Sequence, residues 1–203
     1  SHLTSDHTHY WEDGGATYHT RYSTWENFRG QEGDPWKGVV GEVEGPDNLV
    51  KFEGYRKKLY RQDIVNRANM PTEDKHSQTL VFDAGLEFMR TNATQQNWFL
   101  QIETFDPHEP FFSYEKYKAL YPDDYDGPRF DWPDYAPVTQ SDAEIAHARR
   151  EYKALISMCD KNLGRVLDFF DENDMWKDTM LIVCTDHGYM LGEHGFWAKN
   201  YMP

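Results

Sequence analysis

Two short stretches carry side chains that could do chemistry. The first runs Thr185-Asp186-His187-Gly188-Tyr189-Met190-Leu191-Gly192-Glu193-His194-Gly195-Phe196-Trp197-Ala198-Lys199. It sets a carboxylate beside an imidazole, a donor pair suited to a divalent ion. Lys199 adds a cation for a leaving group or a transferring oxyanion. Asp-His-Gly alone reads better as a turn after a strand. The Gly-Glu-His-Gly and the Lys that follow favour a site. The second stretch is Phe105-Asp106-Pro107-His108-Glu109-Pro110-Phe111-Phe112. Its two prolines stiffen the backbone around His108, which could serve as a general acid or as a donor to an oxyanion. The plainer alternative is a Pro-rich turn with an exposed histidine.

Both stretches follow runs that read as strands, residues 97–104 and 179–185. The second run is short and apolar, as in a buried parallel strand. Between them, Ser141 and Glu144 form a capping-box pattern. It opens a helix with Ala148, Tyr152, Leu155, Ile156, Cys159, Leu163, Val166, Leu167 and Phe170 at helical spacing, ended by Asp171-Glu172-Asn173. Strand, helix and strand predict a βαβ unit with a parallel sheet and a right-handed crossover. Ligands in such sheets sit beyond the carboxyl ends of the strands. Residues 48–69 and about 72–90 read as two further helices. The second starts with acids after Thr72 and has Leu80, Ala84, Leu86 and Phe88 on its apolar face. Residues 1–50 read as loop with short strands, and residues 106–140 as a long surface excursion.

A chain of 203 residues is long enough for one sizeable core. Its formal charge of −14 and the lack of a basic stripe argue against nucleic acid as a partner. An anionic substrate would need a locally positive site. No apolar run approaches the ~20 residues of a membrane span, and Ser1 to Tyr10 does not read as a signal peptide. Cys159 and Cys184 lack zinc spacing; two buried thiols are the preferred reading over a disulfide.

Three motifs in order carry a resemblance. Asp-Pro-His-x-Pro-Phe at 106–111 resembles the middle motif of the sulfatase family. Tyr152-x-x-x-Ile156-x-x-x-Asp160 with Asn162-Leu163-Gly164-Arg165-Val166-Leu167 resembles its helix. Thr-Asp-His-Gly-x-x-x-Gly-Glu-His-Gly-x-x-x-Lys at 185–199 is similar to its late motif. The resemblance covers residues 75–203. It implies an alkaline-phosphatase-like three-layer α/β/α sandwich with a mostly parallel sheet, incomplete in this chain. It implies metal-dependent hydrolysis of sulfate esters, with calcium or another divalent metal as cofactor. Asp186 and His187 would be metal ligands, while Lys199 and His108 would contact the sulfate or the leaving oxygen. His194 would be structural or substrate-contacting. The implied substrate is a small-molecule or carbohydrate sulfate ester, and the family's exported members point to the periplasm or the outside.

The family nucleophile, a formylglycine made in a Cys/Ser-x-Pro/Ala-x-Arg motif, has no counterpart here: neither Cys159 nor Cys184 has that context. The chain is therefore expected to be an internal piece, residues 1–203, of a catalytic domain whose nucleophile lies upstream and whose end lies downstream, inactive alone. The family's Gly-Lys-x-His segment would fall on Ser5-Asp6-His7-Thr8-His9, with Asp6 in place of the lysine and His7 or His9 as a substrate-binding histidine. A zinc site among His2, His7, His9 and His19 is a minor alternative. Two other functions stay open: a phosphonate monoester or phosphodiester hydrolase of the same superfamily, and a non-catalytic binding protein with the same fold.

Overall fold

The computed structural model describes residues 1–45, 54 and 56–200. They form two compact units, one ending at Asp106 and the other starting at Pro107.

The first unit is built on a parallel sheet of three strands, β1 (His2–Ser5), β2 (Thr24–Asn27) and β3 (Leu100–Glu103), in the order β2-β1-β3. His2 pairs with both Thr24 and Leu100, and Ser5 with both Asn27 and Glu103. With neighbours on both sides, β1 is buried at all four positions. Helices α1 (Arg56–Ala68) and α2 (Ser77–Asn92) lie between β2 and β3 in sequence, as a parallel connection requires. The helix predicted over 48–69 is α1; residues 48–53 and 55 of that expectation lie outside the described residues. The helix predicted from Thr72 begins later. Glu73–Lys75 make a separate 3-10 turn, and His76 caps α2 by accepting from the Gln78 N–H. Val81, Ala84 and Met89 form its buried stripe. The parallel sheet with its helices is the expected α/β class, incomplete in this chain.

Two buried carboxyls knot this unit together. Asp6 accepts from the Phe105 N–H at 2.7 Å and from Ser77 Oγ at 2.8 Å. Asp106 accepts from Gln31 Nε2 at 3.0 Å and Gln78 Nε2 at 2.9 Å. The ends of β1 and β3 are thereby tied to the start of α2. Burial raises Asp6 from 3.8 to about 6, against the pull of the Phe105 and Ser77 donors. Asp106 is pushed well above its ordinary value, first by burial and then by the charge of Asp6.

The second unit is organised by α4 (Asp142–Glu172). The expected capping box is present: Ser141 Oγ accepts from the Glu144 N–H at 3.3 Å, and Glu144 accepts from the Ser141 N–H at 2.8 Å. Asn173 is its C-cap. The buried stripe runs His147, Ala148, Glu151, Ala154, Leu155, Met158, Asn162, Val166 and Phe170. Ile156, expected on the apolar face, is 38% exposed. Glu151 is buried instead, because Lys118 meets it at 2.6 Å and Arg150 at 2.7 Å. Burial lowers Lys118, and the Glu151 charge opposes this.

Three other expectations need correction. Residues 106–140 are not a surface excursion. Besides the short α3 (Glu115–Lys118), they bury Phe111, Tyr117, Phe130 and Trp132. Phe111 and Tyr117 pack on Ala154, Leu155 and Met158; Phe130 packs on Ala148 and Trp197. The run 179–185 pairs with no strand among the described residues, so the predicted βαβ unit is not formed. Met180, Ile182 and Val183 are 81%, 71% and 64% exposed. A β pattern becomes a strand only where a partner edge is available. The cysteines are free, as preferred, but Cys184 is exposed and Cys159 half-buried.

Beyond that run, β4 (Met190–Leu191) and β5 (Trp197–Ala198) form an antiparallel hairpin. Its turn uses Gly192 at φ 97° and Gly195 at φ 75°, a left-handed region that costs glycine little. His194 sits between them at φ 56°, also left-handed.

Two stability outcomes follow. Ser141→Ala removes one side of the capping box and should cost about 1 kcal/mol in a chemical-denaturation measurement; no change would mean the cap contributes nothing. Asp6 has a folded pKa above its unfolded value. Its stabilising protonated form is fully present below about pH 4, and that stability is lost as pH rises through about 6. Asp6→Asn keeps the group neutral, so the variant should gain on the wild type by roughly 3 kcal/mol across that range. A difference that does not change with pH would show that Asp6 ionises without penalty.

Candidate functional site

The second unit brings His108 and Lys199 together from 91 residues apart. Lys199 Nζ lies 2.6 Å from His108 Nε2. Each is set in place by a neighbour docked on α4. Three residues after His108, Phe111 sits in the cluster with Leu155 and Met158. Two residues before Lys199, Trp197 sits against Ala148 and Phe130, and its indole N–H donates to Gln140 Oε1 at 2.7 Å. Arg149 of α4 donates to the Leu191 carbonyl at 2.9 Å and pairs with Glu193 at 3.2 Å, tying down the hairpin that precedes Lys199.

The protonation pattern follows from the partners. His108 Nδ1 lies 2.6 Å from the Glu109 carbonyl, which can only accept. Nδ1 therefore carries the hydrogen. Nε2 presents its lone pair to the Lys199 ammonium in the neutral ring. Burial lowers His108 below the ordinary imidazole value, and Lys199 and His187 lower it further; the Glu109 carboxylate and carbonyl oppose them. The pair thus combines a cation with a ring of adjustable protonation, which can bind a tetrahedral oxyanion and handle a proton on its ester oxygen.

Asp186 and His187 are exposed and face each other. His187 Nε2 lies 3.2 Å from Asp186 Oδ2, and His187 Nδ1 lies 3.0 Å from the Gly188 carbonyl. Their donor types suit a divalent ion. Their number does not complete a site: calcium takes roughly 6 to 8 oxygens, and the described residues hold no group of three His, Cys, Asp or Glu placed for a metal. The residues here thus fit only part of a metal's donor set.

His7 and His9 lie in the first unit, their ring centroids 5.3 Å apart. His7 Nδ1 is 3.8 Å from Glu103, and His9 Nδ1 is 2.9 Å from Glu12. Asp6, which the resemblance set in a lysine's place, is buried and committed to Phe105 and Ser77. His19 is buried among Tyr10, Trp11 and Trp25, while His2 stacks on Phe88 and bonds Thr24, so these two histidines have separate surroundings. His194 is exposed at the hairpin turn.

Two residues escaped the sequence reading. Glu109 is buried, with Oε2 3.3 Å from His108 Nδ1. Tyr135 donates to Glu109 Oε1 at 2.6 Å, and its ring lies 5.9 Å from Lys199 Nζ. An acid held between His108 and Pro110 was a signal available in the motif; Tyr135 lies in an aperiodic segment and gave none.

The chain is 29% identical to choline-sulfatase of Rhizobium meliloti over 52% of its length, covering 24% of that protein. It is 30% identical to the multifunctional alkaline phosphatase superfamily protein PehA of Trinickia caryophylli over 50% of its length, covering 25% of that protein. It is 27% identical to human iduronate 2-sulfatase over 76% of its length, covering 32% of that protein. The chain thus spans about a quarter to a third of these relatives. The Sulfatase family model matches residues 7–202, nearly the whole chain, and the chain belongs to the sulfatase family.

Proposed function

We propose that this chain supplies the sulfate-binding and proton-handling part of a sulfate-ester hydrolase, with Lys199 and His108 as its catalytic residues. The 2.6 Å approach of Lys199 Nζ to His108 Nε2 is the observation that carries the reading. Lys199 would hold a non-bridging oxygen of the ester by charge. With Lys199 turned from Nε2 to the ester, His108 protonated on Nε2 would give that proton to the leaving oxygen as the S–O bond breaks. Asp186 and His187 would each supply one donor to a divalent metal, calcium by family resemblance, which when bound would offset charge on the ester. The nucleophile is proposed to be a formylglycine outside this chain, so the 203 residues alone are expected to be inactive. His7 and His9 are proposed as substrate contacts, and the substrate as a small-molecule or carbohydrate sulfate ester.

A second reading, hydrolysis of phosphonate monoesters or phosphodiesters, is favoured by the similarity to an alkaline phosphatase superfamily protein named as multifunctional. Sulfate and phosphate esters present the same tetrahedral oxygens to a lysine and a histidine.

Assays of the whole protein on phenyl sulfate test the proposal. His108→Ala and Lys199→Ala should each lower kcat/KM by about 100-fold or more. Unchanged turnover in either variant would remove that residue from the mechanism, and a preference for phenyl phosphonate over the sulfate would establish the second reading. Metal analysis of the whole protein tests the donor pair: Asp186→Ala should lower bound calcium, and full retention would exclude Asp186 as a ligand.

A further inference from the structure

The buried carboxylate of Glu109 has no part in the chemistry above, yet it lies against the ring that performs it. Oε1 accepts from Tyr135 at 2.6 Å. Oε2 lies 3.3 Å from His108 Nδ1 and, among the described residues, accepts no hydrogen bond. The Glu109 carbonyl takes the Nδ1–H at 2.6 Å, so one residue presents both its main-chain and its side-chain oxygen to the same edge of the ring. Lys199 stands at the opposite edge, on Nε2. We propose that Glu109, held by Tyr135, is a positioning residue for His108: it fixes the ring with Nε2 toward Lys199 and the substrate, and stabilises the imidazolium that protonates the leaving oxygen.

The proposal rests on the sulfatase reading and deepens it. A cation at Nε2 disfavours a second positive charge on the ring, and water is largely excluded there. A carboxylate at Nδ1 supplies the compensating charge without occupying the reacting edge. As the sulfur bonds to the nucleophile proposed above and the S–O bond breaks, the electron pair of that bond stays on the ester oxygen, which takes the Nε2 proton. The ring returns to its neutral form with Nδ1–H still directed at the Glu109 oxygens. Tyr135 has two functions in this arrangement. Its hydroxyl orients the carboxylate, and its ring lies within reach of the Lys199 cation. The four groups belong to one unit.

The deciding experiment compares leaving groups in the whole protein. Phenoxide needs a proton as it leaves; 4-nitrophenoxide needs it far less. Glu109→Gln keeps the shape of the side chain and removes its charge. Its kcat on phenyl sulfate should fall about 10- to 100-fold, with a much smaller loss on 4-nitrophenyl sulfate and KM nearly unchanged on both. Tyr135→Phe should show the same pattern more weakly, and it serves in place of Glu109→Gln should that variant fail to fold. Equal losses on both esters, or none, while His108→Ala remains impaired, would overturn the role of Glu109 and leave the functional reading intact. If His108→Ala is itself fully active, the functional reading has failed. An NMR titration of the His108 ring gives a readout that does not need turnover: its midpoint should move down in Glu109→Gln, and an unmoved midpoint overturns the proposal.

Discussion

The side chains that α4 buries along one stripe, from His147 to Phe170, hold two irregular segments whose only paired strands, among the described residues of the second unit, are the short β4 and β5. One segment carries Phe111 and Tyr117 to Ala154, Leu155 and Met158; the other carries Trp197 to Ala148. Leu191 packs against both clusters. Polar positions on the same helix repeat the division. Arg149 holds the hairpin, while Glu151 holds Lys118 and Arg150 reaches the Tyr121 carbonyl at 2.9 Å. A helix rises 1.5 Å per residue, so its length fixes the spacing between the two docking clusters. The meeting of His108 and Lys199 is set by where their neighbours dock along that helix.

The buried charge of Glu151 shows why the helix can act this way. An isolated ionised group at that depth would cost several kcal/mol. Lys118 and Arg150 pair with it, and the cost is met only when the 107–123 segment is in place. His147 adds a polar contact to the same segment, with Nδ1 2.5 Å from Asp123 Oδ2. Apolar packing alone would let an aromatic-rich segment slide between similar registers. A buried pair does not tolerate a shift of one turn, because the charge would then lose its partner.

What the sequence disclosed follows the reach of each physical rule. The capping box at Ser141 and Glu144 is a contact within one turn, so four residues were enough to place the start of α4. His108 and Lys199 were legible from residue chemistry and motif, though nothing local says that they meet. The burial of Phe111, Phe130 and Trp132 was not legible, because aromatics docking on a remote helix obey no period. Ile156 is exposed and Glu151 buried for a similar reason: the partner that buries Glu151 is Lys118, thirty-three positions away. The run 179–185 carries a strand's pattern, but strand formation depends on a partner edge that the pattern does not encode.

The candidate site residues are held with different precision. His108 is largely buried, bonded through one ring edge to Glu109, and met at the other by Lys199. Asp186 and His187 are exposed, and they follow directly on a run that pairs with no strand among the described residues. That contrast suits the two tasks. Proton handling depends on sub-ångström placement of a donor, which needs a ring whose tautomer and orientation are already fixed. A metal gathers its ligands by its own charge and can order a carboxylate and an imidazole as it binds. On the proposed reading, the pair of His108 and Lys199 must therefore be organised by the fold, while Asp186 and His187 can be organised by the ion they are proposed to bind.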